Sequence, residues 1–384
     1  MKEIINCVDC ISDELIQIVI DDNLMVSRKK VGVKGDEAIF VGPGLLDLQI
    51  NGFSGVDFNT FPIIENDFLK VINNLSKEGV LSFFPTIITN SDANIINLLK
   101  NLNELCLQNS LIDSYVSGIH LEGPFISSVR EASGAHSKDY IKAPDWELFK
   151  VFQEASGNRI KIITISPEWD NSIDFIAKCA ANDIIVSIGH TVANNEQINA
   201  AVKAGAKMST HLGNGAPLSL HRNSNIIFDQ LANNYLTPSV IADGFHLPDN
   251  FLKIVLKVKN NNIILVSDST MFAGMNAGVY HSHIGGKVKL EKGGRLSTYK
   301  NENVLAGSAV SLLDCINKIF SIKILSLSKA WSLASIEPKK LVNILDNNND
   351  FVLFKLKNNS ITILSVFKSG KQIYSDSKKL HKTI

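Results

Sequence analysis

The side chains that could do chemistry sit at the ends of short apolar runs. They are Glu122 in GIHLEGPF, His190 in VSIGHT, His211 in MSTHLGNGAP, Asp243 and His246 in VIADGFH, and Asp268 in LVSDST. Each has a plain alternative. Glu122 before Gly-Pro suits a solvated loop, a single buried histidine is commonly a hydrogen-bonded one, and Asp268 before Ser-Thr suits a helix cap. Together they outweigh those readings. One carboxylate and two imidazoles at three strand ends supply three protein ligands and leave a position for water, as catalytic zinc sites do. A further strand-end aspartate, Asp268, then stands where it could take a proton from that water.

The stretch GLLDLQINGF presents Asp47, Gln49 and Asn51 on alternate positions, so in a strand they share one face. Many metal-dependent hydrolases carry His-x-His at such a place, and here there is no histidine. From residue types alone it is open whether this is a metal site missing ligands or no metal site. His281-x-His283, in YHSHIGG, offers the missing pair in the wrong place, within a glycine-bounded stretch that reads as a surface hairpin. His120, two residues before Glu122, should face the same way and reads as a buried supporting residue.

The elements that must position these groups follow from periodicity. Strand-like runs at 45–50, 80–85, 117–121, 160–165, 184–188, 207–210, 239–242 and 263–267 alternate with segments of helical spacing such as FLKVINNLSKEG and NNEQINAAVKAG. Eight strands each followed by a crossover predict an α/β fold, a (β/α)8 TIM-like barrel whose chemistry lies at the C-terminal strand ends. Short strands before residue 44 and after LDNNND predict a small β-sandwich-like domain built from both termini. The expected division is 1–43 plus 345–384 for that domain and 44–344 for the barrel.

Composition narrows the class. The chain has 384 residues with zero formal net charge, which argues against a nucleic-acid or anionic-membrane partner. No segment has the apolar length of a membrane span, and MKEIINCVDC has no signal-peptide core, so a cytoplasmic location is expected. The five scattered cysteines suit reduced thiols rather than a disulfide framework, and Cys7-x-x-Cys10 lacks the second pair of a zinc site. Arginine is confined to positions 28, 130, 159, 222 and 295, so one beside candidate site residues carries weight.

In order along the chain, PGLLDLQINGF, GIHLEGPFIS, GAH, ISPE, SIGHT, THLGNGAP, IADGFHL, LVSDST and LAGS resemble the N-acetylglucosamine-6-phosphate deacetylase family of the amidohydrolase superfamily. The resemblance runs from Pro43 into the strand-like tail. It implies an answer for strand one, because some members have His-x-His and hold two metals, while others have Gln-x-Asn and hold one. Gln49 and Asn51 then replace second-metal ligands, and Glu122, His190 and His211 hold one divalent ion. Zn2+ is the first expectation, with Fe2+, Co2+ or Mn2+ compatible with the same ligand types. The resemblance further implies Asp268 as catalytic base and His136 beside the substrate carbonyl. Substrate would also meet Asn214, Gly215, Arg222 at the phosphate, and His246 at the sugar. In relatives the arginine and the last histidine reach a neighbouring subunit's site, which implies a homodimer.

The implied reaction is metal-dependent hydrolysis of the N-acetyl group of N-acetylglucosamine 6-phosphate. HLGNGAPLSLHRNSN departs from the family's usual HLYNAM version at the phosphate end, and SDST replaces the commoner Asp-Ala. Those departures keep two alternatives in view: an amidohydrolase acting on another N-acyl sugar or amide, and a sugar-phosphate-binding protein without catalysis. Retention of Glu122, His190, His211 and Asp268 argues against the second.

Overall fold

The computed structural model describes residues 2–31, 39–260, 262–282, 286–358 and 360–376. Eight parallel strands form the main sheet: Leu45–Ile50, Val80–Ile88, Ile119–Glu122, Ile160–Ile165, Ile185–Ile188, Met208–Ser209, Thr237–Ile241 and Ile264–Val266, called strands one to eight. Their neighbour order is sequential. Strands one, three and five are buried at every position, as expected where both faces of a parallel sheet are covered. Helices between them bury one apolar face and carry their own stop signals. Ser91 caps Asp92–Gln108, and a reciprocal Asn194–Gln197 capping box starts Asn195–Ala204, which ends at Gly205.

The sheet closes into a barrel at its C-terminal end. The Asp268 amide donates to the Gln49 carbonyl at 2.9 Å and the Asn51 amide to Ser269 at 2.8 Å. Below them the Asp47 carboxylate accepts the Ser267 amide at 3.2 and 3.3 Å. At the foot, Leu46 and Leu265 bond instead to Ala334 and Leu333, so strands one and eight splay around that segment. The tightest part of the closure is therefore the rim that carries Gln49, Asn51 and Asp268.

Strands from both termini make a second sheet that closes on itself. Its two halves face each other, as sandwich layers do, across Ile5, Ile16, Ile18, Val41, Phe351 and Phe367. Trp331 locks it to the main barrel by stacking on Phe354 at 4.4 Å and donating to the Pro43 carbonyl at 2.9 Å. A three-stranded antiparallel sheet follows strand eight, with Gly278–Ser282 and Gly286–Leu290 as its hairpin. It seats Val288, Leu290 and Leu296 on Phe272. His281 is exposed there, and His283 lies outside the described residues. Among the described residues no helix is long and apolar enough to cross a membrane.

Candidate metal-binding active site

Glu122, the last residue of strand three, points into the barrel mouth, and the loop tops of strands five and six bring two imidazoles to it. Glu122 Oε1 lies 2.9 Å from His211 Nε2 and 3.3 Å from His190 Nε2, and the two nitrogens are 3.1 Å apart. Ligand atoms held about 2.0–2.1 Å from a tetrahedral ion are separated by roughly 3.3 Å, so this triangle has the dimensions of three vertices of such a site. His190 is oriented from behind: its Nδ1–H donates to the Ala132 carbonyl at 2.9 Å, which leaves the Nε2 lone pair facing Glu122.

The backbone is shaped to this end. His190 (φ 47°), His211 (φ 29°) and Asp268 (φ 47°) all adopt left-handed conformations, costly for residues with a Cβ and held where the surroundings over-determine them. Gly123, directly after Glu122, has φ 90°, and a Cβ there would sit 2.1 Å from Thr89 Oγ1. Gly215 is equally constrained, because its Cβ would meet His190 Nδ1 at 2.7 Å.

Electrostatics separate the two carboxylates of the mouth. Burial pushes the Glu122 carboxyl up, but the imidazoles of His190 and His211 set against it more than offset that and hold it well below the usual range. Burial depresses the His211 imidazole, yet the hydrogen bond and charge of Glu122 win and raise it. The cluster thus attracts positive charge. Asp268 is pushed up to about 6 by burial and by the Glu122 charge. Its Oδ1 accepts the Asn51 side-chain amide at 2.7 Å, while Gln49 Nε2 donates to Glu122 Oε1 at 3.1 Å. The strand-one amides therefore hold the two carboxylates by hydrogen bonds, and their own oxygens, Gln49 Oε1 and Asn51 Oδ1, are buried without a partner.

His136 belongs to the same cluster. Its ring stands edge-on to His190 with centroids 4.4 Å apart, its Nδ1 pairs with Thr89 Oγ1 at 2.8 Å, and burial followed by His190 pushes its pKa down to about 3. Glu122, His136 and His190 offer ligand atoms all within 4.8 Å of one another. At strand seven, Asp243 accepts the Phe245 and His246 amides, each at 2.8 Å, and pairs with His246 Nδ1 at 2.6 Å. Asn214 folds back on the His211 carbonyl at 3.2 Å. Arg222 is exposed in the loop before Ile226–Ala232 and has no ion-pair partner among the described residues.

Several supporting groups escaped the sequence reading. The Ala132 carbonyl is one, and nothing in a sequence flags a backbone acceptor. Glu168, from ISPE, accepts the Ser166 and Thr191 hydroxyls and so fastens the loop behind His190. Lone hydroxyl residues in otherwise apolar strands, Thr164 and Ser187, were the readable signal, because parallel barrel strands are otherwise nearly continuous in Val, Ile and Leu.

No protein-family model matches the chain. Among curated proteins it is 34% identical to N-acetylglucosamine-6-phosphate deacetylase of Bacillus subtilis (strain 168), over 74% of this chain and 70% of that one. It is 30% identical to the Caenorhabditis elegans enzyme of the same name, over 88% and 83%. Among solved structures, N-acetylglucosamine-6-phosphate deacetylase from Thermotoga maritima superposes with a TM-score of 0.82 at 26% identity, covering 98% of this chain and 100% of that one.

Proposed function

From the premise that this chain belongs to the N-acetylglucosamine-6-phosphate deacetylases of the amidohydrolase superfamily, we propose a reaction path that uses one divalent ion and one aspartate. The reaction is hydrolysis of the N-acetyl group of N-acetylglucosamine 6-phosphate, giving glucosamine 6-phosphate and acetate. The observation that carries the path is the triangle of Glu122, His190 and His211, no side longer than 3.3 Å, with Asp268 held beside it by Asn51.

Glu122, His190 and His211 hold the ion, Zn2+ by preference. Its contribution is to polarise the acetyl carbonyl and to acidify water toward neutrality. Asp268 accepts a proton as the water oxygen bonds to the carbonyl carbon, then returns it to the nitrogen as the C–N bond breaks. His136, kept neutral, donates from its substrate-facing nitrogen to the carbonyl oxygen as negative charge develops there. His246 takes the sugar. Arg222, with Asn214 and the Gly215 amide, takes the phosphate through charge-assisted bonds. The exposure of Arg222, on a loop that carries the 99% exposed Leu218, supports a homodimer in which this loop completes a neighbour's site. The buried thiols of Cys10, Cys106, Cys179 and Cys315 suit a cytoplasmic protein.

His136 supports one further reading, since it too lies within ligand range of Glu122 and His190. His211→Ala is expected to lose the metal, and His136→Ala to keep it while losing turnover; the reverse would put His136 in the ligand set. The primary experiment measures acetate release from N-acetylglucosamine 6-phosphate and from N-acetylglucosamine, on protein whose metal has been counted. About one ion per chain and release from the phosphate alone are expected. Bound ion with no release from either sugar overturns the substrate, and neither ion nor release overturns the path.

A further inference from the structure

Directly beneath the ligand layer the barrel is polar where an apolar layer would pack equally well. His120, Thr164 and Ser187 are fully buried, and Thr210 nearly so. They form one chain: His120 Nδ1 to the Leu48 carbonyl at 3.1 Å, His120 Nε2 to Thr164 Oγ1 at 2.8 Å, Thr164 to Thr210 at 2.7 Å, and Thr210 to Ser187 at 2.5 Å. A carbonyl can only accept, so Nδ1 carries the hydrogen, and Nε2 of the neutral ring must accept from Thr164. Thr164 has then spent its proton and accepts from Thr210, which in turn accepts from Ser187. Every bond in the chain therefore runs one way, from strand five through strands six, four and three to the backbone of strand one.

We infer that this chain is positioning machinery for the metal ligands, with Thr164 as its central positioning residue; the inference rests on the ligand assignment proposed above. Most links lie next to a ligand or to a residue that bonds one. His120 lies two residues before Glu122 on the same face of strand three, and Thr210 precedes His211. Leu48 precedes Gln49, which bonds Glu122. Gly189, which precedes His190, rests on the two threonines: a Cβ there would lie 2.7 Å from Thr210 Cβ and 2.9 Å from Thr164 Cγ2. Apolar packing would tolerate small rotations of these strand tops. A one-directional series of short hydrogen bonds does not, because each donor has a single partner and a missed bond leaves a buried polar group unsatisfied.

The test separates hydrogen bonding from packing at one position. Thr164→Val keeps the methyl against Gly189 and the volume, and removes the hydroxyl; Thr164→Ser keeps the hydroxyl and removes the methyl. Metal affinity is measured by titrating chelator-stripped protein with Zn2+, alongside kcat. T164V is expected to bind roughly 10- to 100-fold more weakly, the range for lost partners of metal ligands, with T164S near the parent. Parental affinity in T164V, or a loss in T164S as large as in T164V, overturns the inference while leaving the ligand assignment standing. Should T164V not fold, Ser187→Ala removes only the terminal donor; weaker metal binding there supports the chain, and parental binding overturns it. A parent protein that takes up no Zn2+ sinks the ligand assignment itself, and the inference with it.

Discussion

Glu122 and Asp268 are carboxylates at the same rim of one barrel, and the fold tunes them in opposite directions. Glu122 is buried, yet its carboxyl is held well below the usual range, because two imidazoles converge on it. Asp268, half-buried, is pushed up to about 6 by burial and by the Glu122 charge, against which the Asn51 amide only partly compensates. In the proposed path the first acid stays charged and holds the cation, and the second takes up and returns a proton. Two carboxyl groups whose surroundings push their pKa values apart mark an acid–base division of labour. The difference is made by partners rather than by depth.

Substitutions at each corner test that contrast. Asp268→Asn is expected to lower kcat by about 10^2- to 10^4-fold, the span for a general acid–base group, with metal content unchanged. Near-parental turnover in that variant would break the assignment of the proton-exchanging corner. Glu122→Gln should weaken metal binding by at least about 100-fold, exceeding the loss typical of outer partners; retention of a full complement of ion would move the binding centre elsewhere. Arg222→Ala should raise KM for the phosphorylated sugar about tenfold, as loss of one charge-assisted bond does, and barely alter an unphosphorylated analogue. Equal effects on both sugars would separate Arg222 from the phosphate.

What the sequence disclosed follows from what each kind of position must be. The barrel strands were readable because a parallel strand covered on both faces is an apolar run, and only their edges moved: strand six is Met208–Ser209, and His211 just beyond it already adopts a left-handed conformation. Glu122, His190, His211 and Asp268 could be singled out as candidates because charged or titratable groups ending such runs have few structural uses. The seven-strand closure of the terminal sheet was less so, since alternation predicts strands but not how many join. Least legible were the supports. Thr164 and Ser187 stand out only as lone hydroxyls in apolar strands, which does not say what they bond, and the Ala132 carbonyl that aims His190 has no side-chain signature at all. Asp47, a charge within an apolar strand, was visible; its partner, the Ser267 amide across the closure, was not.

A third carboxylate sharpens the comparison, because it shares the elevation of Asp268 without its chemistry. Glu78 follows the helix Glu65–Lys77 at the foot of the barrel and is pushed up to about 7 by burial and by Asp314, despite the Ser311 hydroxyl. Among the described residues no imidazole pairs with it, so its raised pKa should register in stability and not in turnover. An unfolded glutamate titrates near 4.3. Between about 4.3 and 7 the folded state therefore binds the extra proton, and the stabilisation present below the lower value is lost as pH rises through the upper one. In Glu78→Gln that loss disappears, whereas the similar contribution of Asp47, also raised to about 7, is common to both proteins and cancels. The variant is expected to gain on the order of 2 kcal/mol relative to the parent between pH 4 and pH 8, discounted for partial exposure, when both are unfolded in urea without metal. Its kcat should be unchanged. A flat difference across that range would mean that Glu78 is solvated in the folded protein, and a fall in kcat would mean that the foot of the barrel is coupled to its mouth.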